Sequence, residues 1–411
     1  MKMNRKLLIA LIIAASIISA GVSSLIIINY VINQQNNLEV KIQNLMTKFQ
    51  IPSLAAGIII NEDLVWKGGF GEQPEIDTVY MIGSITKTIT ATAILQLCES
   101  NLLNLDEDIN HYLPFSVRSP FYSSIPITPR MLLTHMAGLP KDLIWSLEYY
   151  FDNQTLQWIN ENLDLGEDIY ELDPRPSLGQ FLNESLDPNG TYYDSYNWFA
   201  RPGSQFHYSN AGFQLLCYLI EEISNHTYME YLQEHIFAPL NMTSSGYEYA
   251  AFGDRNAIPY EWYHDMNYPY PFYNLNVTGA GNLRSTIEDM AKYLAVFINQ
   301  GMYNGIQILS TQSVNLMLSN QVPLSGISVE GFIIEGYGLG WYNFAENVRG
   351  HGGAIPGFFA NMYFKKTNDQ SFGVILMFNR GSALVEDSVL INEFIPGINA
   401  IILDQAESMA I

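Results

Sequence analysis

Ser84 and Lys87 stand three residues apart in the run SITK, a hydroxyl and an amine at the spacing that shares one face of a helix. From Ile85 to Cys98 (ITKTITATAILQLC) Lys87 is the sole ionisable side chain apart from the thiol. A helix that apolar is a buried one. Burial strips the ammonium of water, lowers the lysine pKa and lets the amine accept a proton near neutral pH. The pair therefore has the makings of a nucleophile with its own base. The threonines at 86, 88, 90 and 92 alternate, as a strand would. The length of the run, closed by Glu99-Ser100-Asn101, favours a helix.

Two further motifs follow. Tyr208-Ser209-Asn210 lies between the turn Arg201-Pro202-Gly203 and an apolar helix, and His351-Gly352-Gly353 lies in a glycine-rich stretch from Gly350 to Gly357. Each alone is common; three in this order, each at an element boundary, make a constellation. No G-x-S-x-G elbow is present. Gly338-Leu-Gly340 lacks the third glycine of a dinucleotide loop and reads as a strand packed against another element. His135 and His207 read as structural histidines. The aromatic run from Tyr260 to Tyr273, with two prolines, reads as a rim of the substrate cleft, with plain packing as the alternative.

The elements that must position these residues are legible in outline. Leu38, Ile42, Leu45, Met46 and Phe49 fall at helical spacing. Leu54 to Ile60 reads as a strand, turned by Asn61-Glu62-Asp63 into Leu64 to Trp66. Thr128-Pro129 opens a short helix that Gly138 stops. Residues 141 to 205 form a long, partly irregular excursion, of the kind that serves as a cover or rim. Helices are predicted over Asn210 to Ser224, Thr286 to Ile298 and about Ala383 to Leu403. Strands are predicted over Tyr337 to Trp341, Gly357 to Lys365 and Phe372 to Phe378, the last two a hairpin through Lys366 to Gln370. Strands at both ends and helices between imply one sheet built from both chain ends with a helical subdomain inserted.

Composition narrows the function. The 411 residues carry 41 acidic and 19 basic side chains, net charge −22, and a chain so acidic is no partner for nucleic acid. Cys98 and Cys217 lie in apolar stretches and read as buried free thiols. The 7 histidines show no metal-ligand spacing. Lys2, Arg5 and Lys6 precede Leu7 to Ile28, an uncharged stretch long enough to span a bilayer. It reads as a signal-anchor with the remaining chain outside the cytoplasm, or else as a cleaved signal with Ile18-Ser19-Ala20 at the cut. Six N-x-S/T sequons, from Asn153 to Asn276, fit that side of the membrane.

With its three motifs in order, the chain resembles the serine β-lactamase and penicillin-binding-protein superfamily. Within it, the likeness is to the class C β-lactamase-related branch that includes D-stereospecific peptidases and esterases. Thr78 to Lys87 (TVYMIGSITK), Leu132 to Pro140 (LLTHMAGLP), Gly279 to Thr286 (GAGNLRST) and Tyr337 to Trp341 (YGLGW) are similar to segments of that family. The likeness runs from about residue 38 to 403. It implies an α+β fold of the β-lactamase/transpeptidase type, with residues 1–37 as anchor and linker, 38–411 as the hydrolase domain and a helical subdomain over roughly 76–284.

Roles are implied residue by residue. Ser84 would attack a carbonyl, Lys87 would take its proton, and Tyr208 would share the base role and protonate the leaving group. The oxyanion would rest on the backbone N–H groups of Ser84 and Ala354, beside Gly353. Asn210 would hold Lys87 or the substrate, or else cap its helix. Where the β-lactamase pattern has Lys-Thr/Ser-Gly, this chain has His351, only partly charged near pH 7, and Gly352, without a hydroxyl. A carboxylate-bearing substrate such as penicillin is then less well served, and a His351 cation is expected to steady the Tyr208 phenolate. The resemblance implies neither metal nor organic cofactor. The expected function is a membrane-anchored, outward-facing serine hydrolase cleaving an ester or D-amino-acid peptide-like amide through acyl-Ser84. The alternatives are a β-lactamase or DD-peptidase, and a non-catalytic ligand-binding descendant of the fold.

Overall fold

Leu38, Ile42, Met46 and Phe49 share one buried stripe of helix α1 (37–49), which covers one face of the sheet. The computed structural model describes residues 37–140, 143, 149–150, 157, 160–162, 176–269, 271–275, 278–366, 370–381 and 387–410. The apolar segment 7–28 and most of the 141–175 stretch lie outside the described residues. Among the described residues no helix is long and apolar enough to cross a membrane.

The chain's first strands are β1 (Ser53–Ile60) and β2 (Asp63–Gly71), joined through Asn61 at φ +57°. The later ones are β3 (Phe332–Tyr337), β4 (Tyr342–Phe344), β5 (Val348–Ile355), β6 (Phe358–Lys365) and β7 (Phe372–Phe378). They form a nine-stranded sheet in which Val322–Pro323 edges β3, the order then runs β3-β4-β5-β6-β7-β1-β2, and Ser328–Val329 pairs β3 off that path. All of these pairings are antiparallel. β1 meets β7 from Leu54↔Phe378 to Ile60↔Phe372, so the two ends of the domain close one sheet. This is the α+β, β-lactamase/transpeptidase architecture the sequence implies.

Successive side chains of a strand face opposite ways. On β7, Ile375 and Met377 join the core under the middle of the chain. Phe372, Val374, Leu376 and Phe378 join α1 and the last helix, α7 (Ile395–Met409). With both faces covered, β7 reads as a continuous apolar run.

Helix α2 (Thr86–Glu99) runs through the first core, buried on nearly every face. Its threonines turn back on the helix: Thr90 Oγ1 reaches Thr86 O at 3.3 Å, and Thr92 Oγ1 reaches Thr88 O at 3.0 Å. Such back-bonding satisfies a buried hydroxyl inside a helix, which is why their alternation did not make a strand. The other helices around the site are α3 (Pro129–Leu133), α4 (Asn210–Ser224), α5 (Thr278–Gly281) and α6 (Ile287–Ile298).

Three expectations are corrected. Gly338 to Trp341 is the turn between β3 and β4, not a strand, and Gly340 (φ +77°) packs so tightly on α2 that a Cβ there would sit 2.9 Å from the Ala91 methyl. α3 ends at Leu133, before the left-handed His135 (φ +58°), rather than at Gly138. The C-terminal helix extends to Met409, past Leu403, and residues 382–386 at its expected start lie outside the described residues. Both cysteines are free, Cys217 buried and Cys98 half-buried.

Candidate active site

Ser84 sits in a single 3₁₀ turn, Gly83–Ile85, that leads straight into α2. The helical spacing brings Lys87 back to it: Nζ lies 3.0 Å from Ser84 Oγ. Lys87 is fully buried. Its amine also donates to Asn210 Oδ1 at 2.7 Å and to the Ala280 carbonyl, on α5, at 2.9 Å. Those two carbonyl oxygens can only accept, so they fix two N–H bonds and orient the amine. The Ser84 hydroxyl can give its proton to the amine as well as receive one.

Asn210 opens α4, but it is not the cap. Ser209 is: its hydroxyl accepts from Gly212 N at 3.1 Å and donates to Pro140 O at 2.6 Å. The amide of Asn210 is therefore available to Lys87. Tyr208, one residue earlier, lies with its ring 4.9 Å from Lys87 Nζ.

β5 presses its glycines against the turn that holds Ser84. A Cβ on Gly353 would stand 2.0 Å from Ile82 O and 2.7 Å from Ser84 N; a Cβ on Gly83 (φ +51°) would meet Ala354 N at 3.0 Å. Only glycines allow that approach, and it brings the backbone nitrogens of Ser84 and Ala354 to one place. Ala354 is exposed there. Two fixed N–H dipoles beside a hydroxyl are an arrangement that suits a developing oxyanion.

His351 is placed differently from expectation. The Ser209 N–H donates to His135 Nδ1 at 3.0 Å, which leaves the proton of a neutral His135 on Nε2. That Nε2–H donates to the Tyr337 hydroxyl at 3.1 Å, and Tyr337 donates on to His351 Nε2 at 3.3 Å. His351 Nδ1–H then ends the chain on Gly352 O at 2.6 Å. Burial first, and the nearby Lys87 second, push His351 down to about 3, and burial holds His135 well below 6.5. Both rings are neutral near pH 7. The expectation of a partly charged His351 steadying Tyr208 is therefore corrected: its ring lies 6.4 Å from that of Tyr208 but carries no charge.

The structure thus brings Ser84, Lys87, Tyr208, Asn210, His351, Gly353 and Ala354 into one cleft. It adds Tyr337 and the carbonyl of Ala280, and it moves His135 from bystander to direct support, its ring 4.3 Å from that of Tyr208. The signal for all three was present in LLTHMAGLP, GAGNLRST and YGLGW, yet no spacing rule linked them to the site. His207 stacks on Phe199 at 3.7 Å. The aromatic run forms a hairpin, Tyr260–Tyr263 with Met266–Pro269. Buried Glu261 accepts from Gly357 N at 3.2 Å and buried Tyr273 donates to Pro356 O, which ties the run to the turn just past Ala354. Among the described residues no group of three His, Cys, Asp or Glu side chains is placed to hold a metal ion.

An α+β frame of one antiparallel sheet between helical layers, with a Ser-x-x-Lys turn, a Tyr-x-Asn helix start and a glycine-rich strand, defines a class of serine-based acyl-transfer folds. The chain belongs to the Beta-lactamase family, whose profile matches residues 38–391. It is similar to Protein flp of Staphylococcus aureus (strain NCTC 8325 / PS 47), 22% identical over 365 residues, covering 86% of this chain and 64% of that protein. It is also similar to the D-alanyl-D-alanine-carboxypeptidase/endopeptidase AmpH of Escherichia coli (strain K12), 25% identical over 275 residues, 66% of this chain and 63% of that one. The matched part is just under two thirds of the length of these curated relatives. Among solved structures, the octameric penicillin-binding protein homologue from Pyrococcus abyssi superposes with a TM-score of 0.70 at 27% identity, covering 90% of this chain and 77% of that chain.

Proposed function

We propose that the protein is a serine hydrolase that cleaves an ester or a D-amino-acid peptide-like amide through an acyl-Ser84 intermediate. The observation that carries this is the Lys87 amine, buried, oriented by Asn210 and Ala280, and 3.0 Å from Ser84 Oγ. Ser84 Oγ adds to the substrate carbonyl as its proton passes to Lys87, and the oxyanion rests on the N–H groups of Ser84 and Ala354. Tyr208 hands its proton to the leaving group as the C–O or C–N bond breaks and takes the proton held on Lys87 in return; water then gives a proton to the same pair, adds to the acyl carbonyl and releases the acyl group, and Ser84 Oγ recovers its proton. Among the described residues β5 pairs with β4 only at Arg349 and Gly350, which makes the strand beyond them the edge along which an extended peptide would pair.

Ester and amide substrates come before penicillin because the third motif supplies no fixed cation: His351 is buried and pushed down to about 3. A DD-peptidase is the second reading, favoured by the likeness to a D-alanyl-D-alanine-carboxypeptidase/endopeptidase. A purely ligand-binding protein would have no use for Ser84, Lys87 and Tyr208 together. From Lys2, Arg5, Lys6 and the apolar stretch Leu7 to Ile28 we also propose an N-terminal anchor with the hydrolase outside the cytoplasm.

The test is hydrolysis of p-nitrophenyl acetate and a D-alanine p-nitroanilide by the protein beside its Ser84→Ala variant. Turnover in the parent that drops by at least about 10³-fold in the variant is the expected result. Equal turnover in both would remove Ser84 as the nucleophile.

A further inference from the structure

Tyr337 closes β3 and is fully buried. Its hydroxyl stands between two histidines, 3.1 Å from His135 Nε2 and 3.3 Å from His351 Nε2. A hydroxyl has one hydrogen to give. The Ser209 N–H occupies His135 Nδ1, so the His135 proton is on Nε2 and the Tyr337 hydrogen goes to His351. His351 then carries its own proton on Nδ1, toward Gly352 O at 2.6 Å. Reversing the His135 tautomer would set two hydrogens face to face at Ser209. Reversing that of His351 would set two acceptors face to face at Gly352. Buried polar groups do not tolerate either.

What this chain holds is Tyr208. His135 binds the peptide N–H groups on both sides of it: the His135 carbonyl accepts from His207 N at 2.8 Å, and the ring accepts from Ser209 N at 3.0 Å. The same ring lies against that of Tyr208, centroids 4.3 Å apart. On the other side of the hydroxyl, His351 shares one face of β5 with Gly353, two positions on. Gly353 is the residue packed on the Ser84 turn. One oxygen therefore joins the segment that carries Tyr208 to the strand that carries Ala354. A proton donor displaced by about 1 Å can cost about 10²-fold in rate, so such a join has kinetic weight.

We propose that Tyr337 is a positioning residue for proton delivery: its hydroxyl, bridging His135 and His351, holds Tyr208 in register with β5 so that Tyr208 meets the leaving group. This rests on the reading of Ser84 as the nucleophile and of Tyr208 as the donor of that proton.

Tyr337→Phe in the full chain removes the oxygen and keeps the ring. Three esters with one acyl group test it: 4-nitrophenyl, phenyl and ethyl acetate, whose leaving groups need a proton increasingly in that order. For each, kcat/KM of the variant is divided by that of the parent, well below the melting temperature of either. Tyr337→Phe is expected to lose less than about threefold on 4-nitrophenyl acetate and about tenfold or more on ethyl acetate. Tyr208→Phe should show the same gradient more steeply, and the double variant should lose no more than Tyr208→Phe alone, because Tyr337 acts through Tyr208. Equal losses on all three esters, as plain structural support would give, or losses that add in the double variant, overturn the proposal. If Tyr208→Phe has the gradient and Tyr337→Phe does not, only the role of Tyr337 falls. If Tyr208→Phe has none while Ser84→Ala abolishes turnover, the proton-donor reading falls and the proposal with it. A parent spectrum with ¹⁵N-labelled histidine decides the matter where Tyr337→Phe does not fold, the His351 signal being the one lost in His351→Asn. A His351 proton on Nδ1 is expected; one on Nε2 at neutral pH overturns the proposal.

Discussion

At the scale of single residues, Ser209 and Asn210 are neighbours with unlike tasks. Ser209 caps α4 and ties it to Pro140, whereas Asn210 spends its carbonyl on Lys87. Ser209→Ala is expected to cost about 1–2 kcal/mol of stability, seen as a lower melting temperature, with kcat changed little in the folded fraction. Asn210→Ala should do the reverse. The cap stays intact, but the amine loses one of the acceptors that aim it, and kcat should fall about 10–100-fold with melting nearly unchanged. Steady-state kinetics beside thermal melts of both variants decide it; matching losses in both would mean that Asn210 is a structural residue only.

At the scale of elements, the site is a contact between the 3₁₀ turn at Ser84 and the glycines of β5. Gly353→Ala would drive a methyl into the backbone at Ile82 and Ser84, and backbone cannot rotate aside as a side chain can. Expected are a loss of about 1–3 kcal/mol and, on the proposed mechanism, a fall in kcat of about 10²-fold or more, as the backbone nitrogens of Ser84 and Ala354 part. Gly397→Ala on α7 is the contrast: nothing stands within 4 Å of its Cβ position, so the helix should gain up to about 1 kcal/mol with kcat unchanged. Equal melting losses in the two variants would refute the close-contact account.

Elements of this kind divide by how local their signals are. α4 and α6 were readable because apolar period and cap lie within one stretch; Thr286, for instance, caps α6 through Asp289 N. Ser84 and Lys87 were readable because one helical turn joins them. The chain from His135 through Tyr337 to His351 was not, since 202 positions separate its first two members and nothing local marks the pairing. Gly338 to Trp341 misled because a run of glycines and large apolar residues fits either a strand or a turn, and only the approach of α2 to Gly340 decides.

At the scale of the whole molecule, desolvated groups on both faces of the sheet make stability depend on pH with two opposite signs. His351 is pushed from 6.5 to about 3 and His135 well below 6.5, both chiefly by burial. Their folded values lie below the unfolded one, so their contribution is complete above about pH 6.5. It is lost as pH falls from there toward 3, at ~1.4 kcal/mol per pH unit for each ring. Glu330 runs the other way: burial raises it from 4.5 to about 8, so its contribution is complete below 4.5 and is lost as pH rises toward 8. Two rising slopes against one falling slope leave these groups with a maximum near pH 6.5. The chain carries a net charge of −22, and its many other carboxylates add slopes of their own, so the informative quantity is the difference between parent and variant. Relative to the parent, Glu330→Gln should melt progressively higher from pH 6.5 to 8. His351→Asn should lose less stability than the parent between pH 6.5 and 5, a difference of about 2 kcal/mol at pH 5. Parallel curves for parent and Glu330→Gln on the alkaline side would mean that Glu330 is ionised in the folded protein.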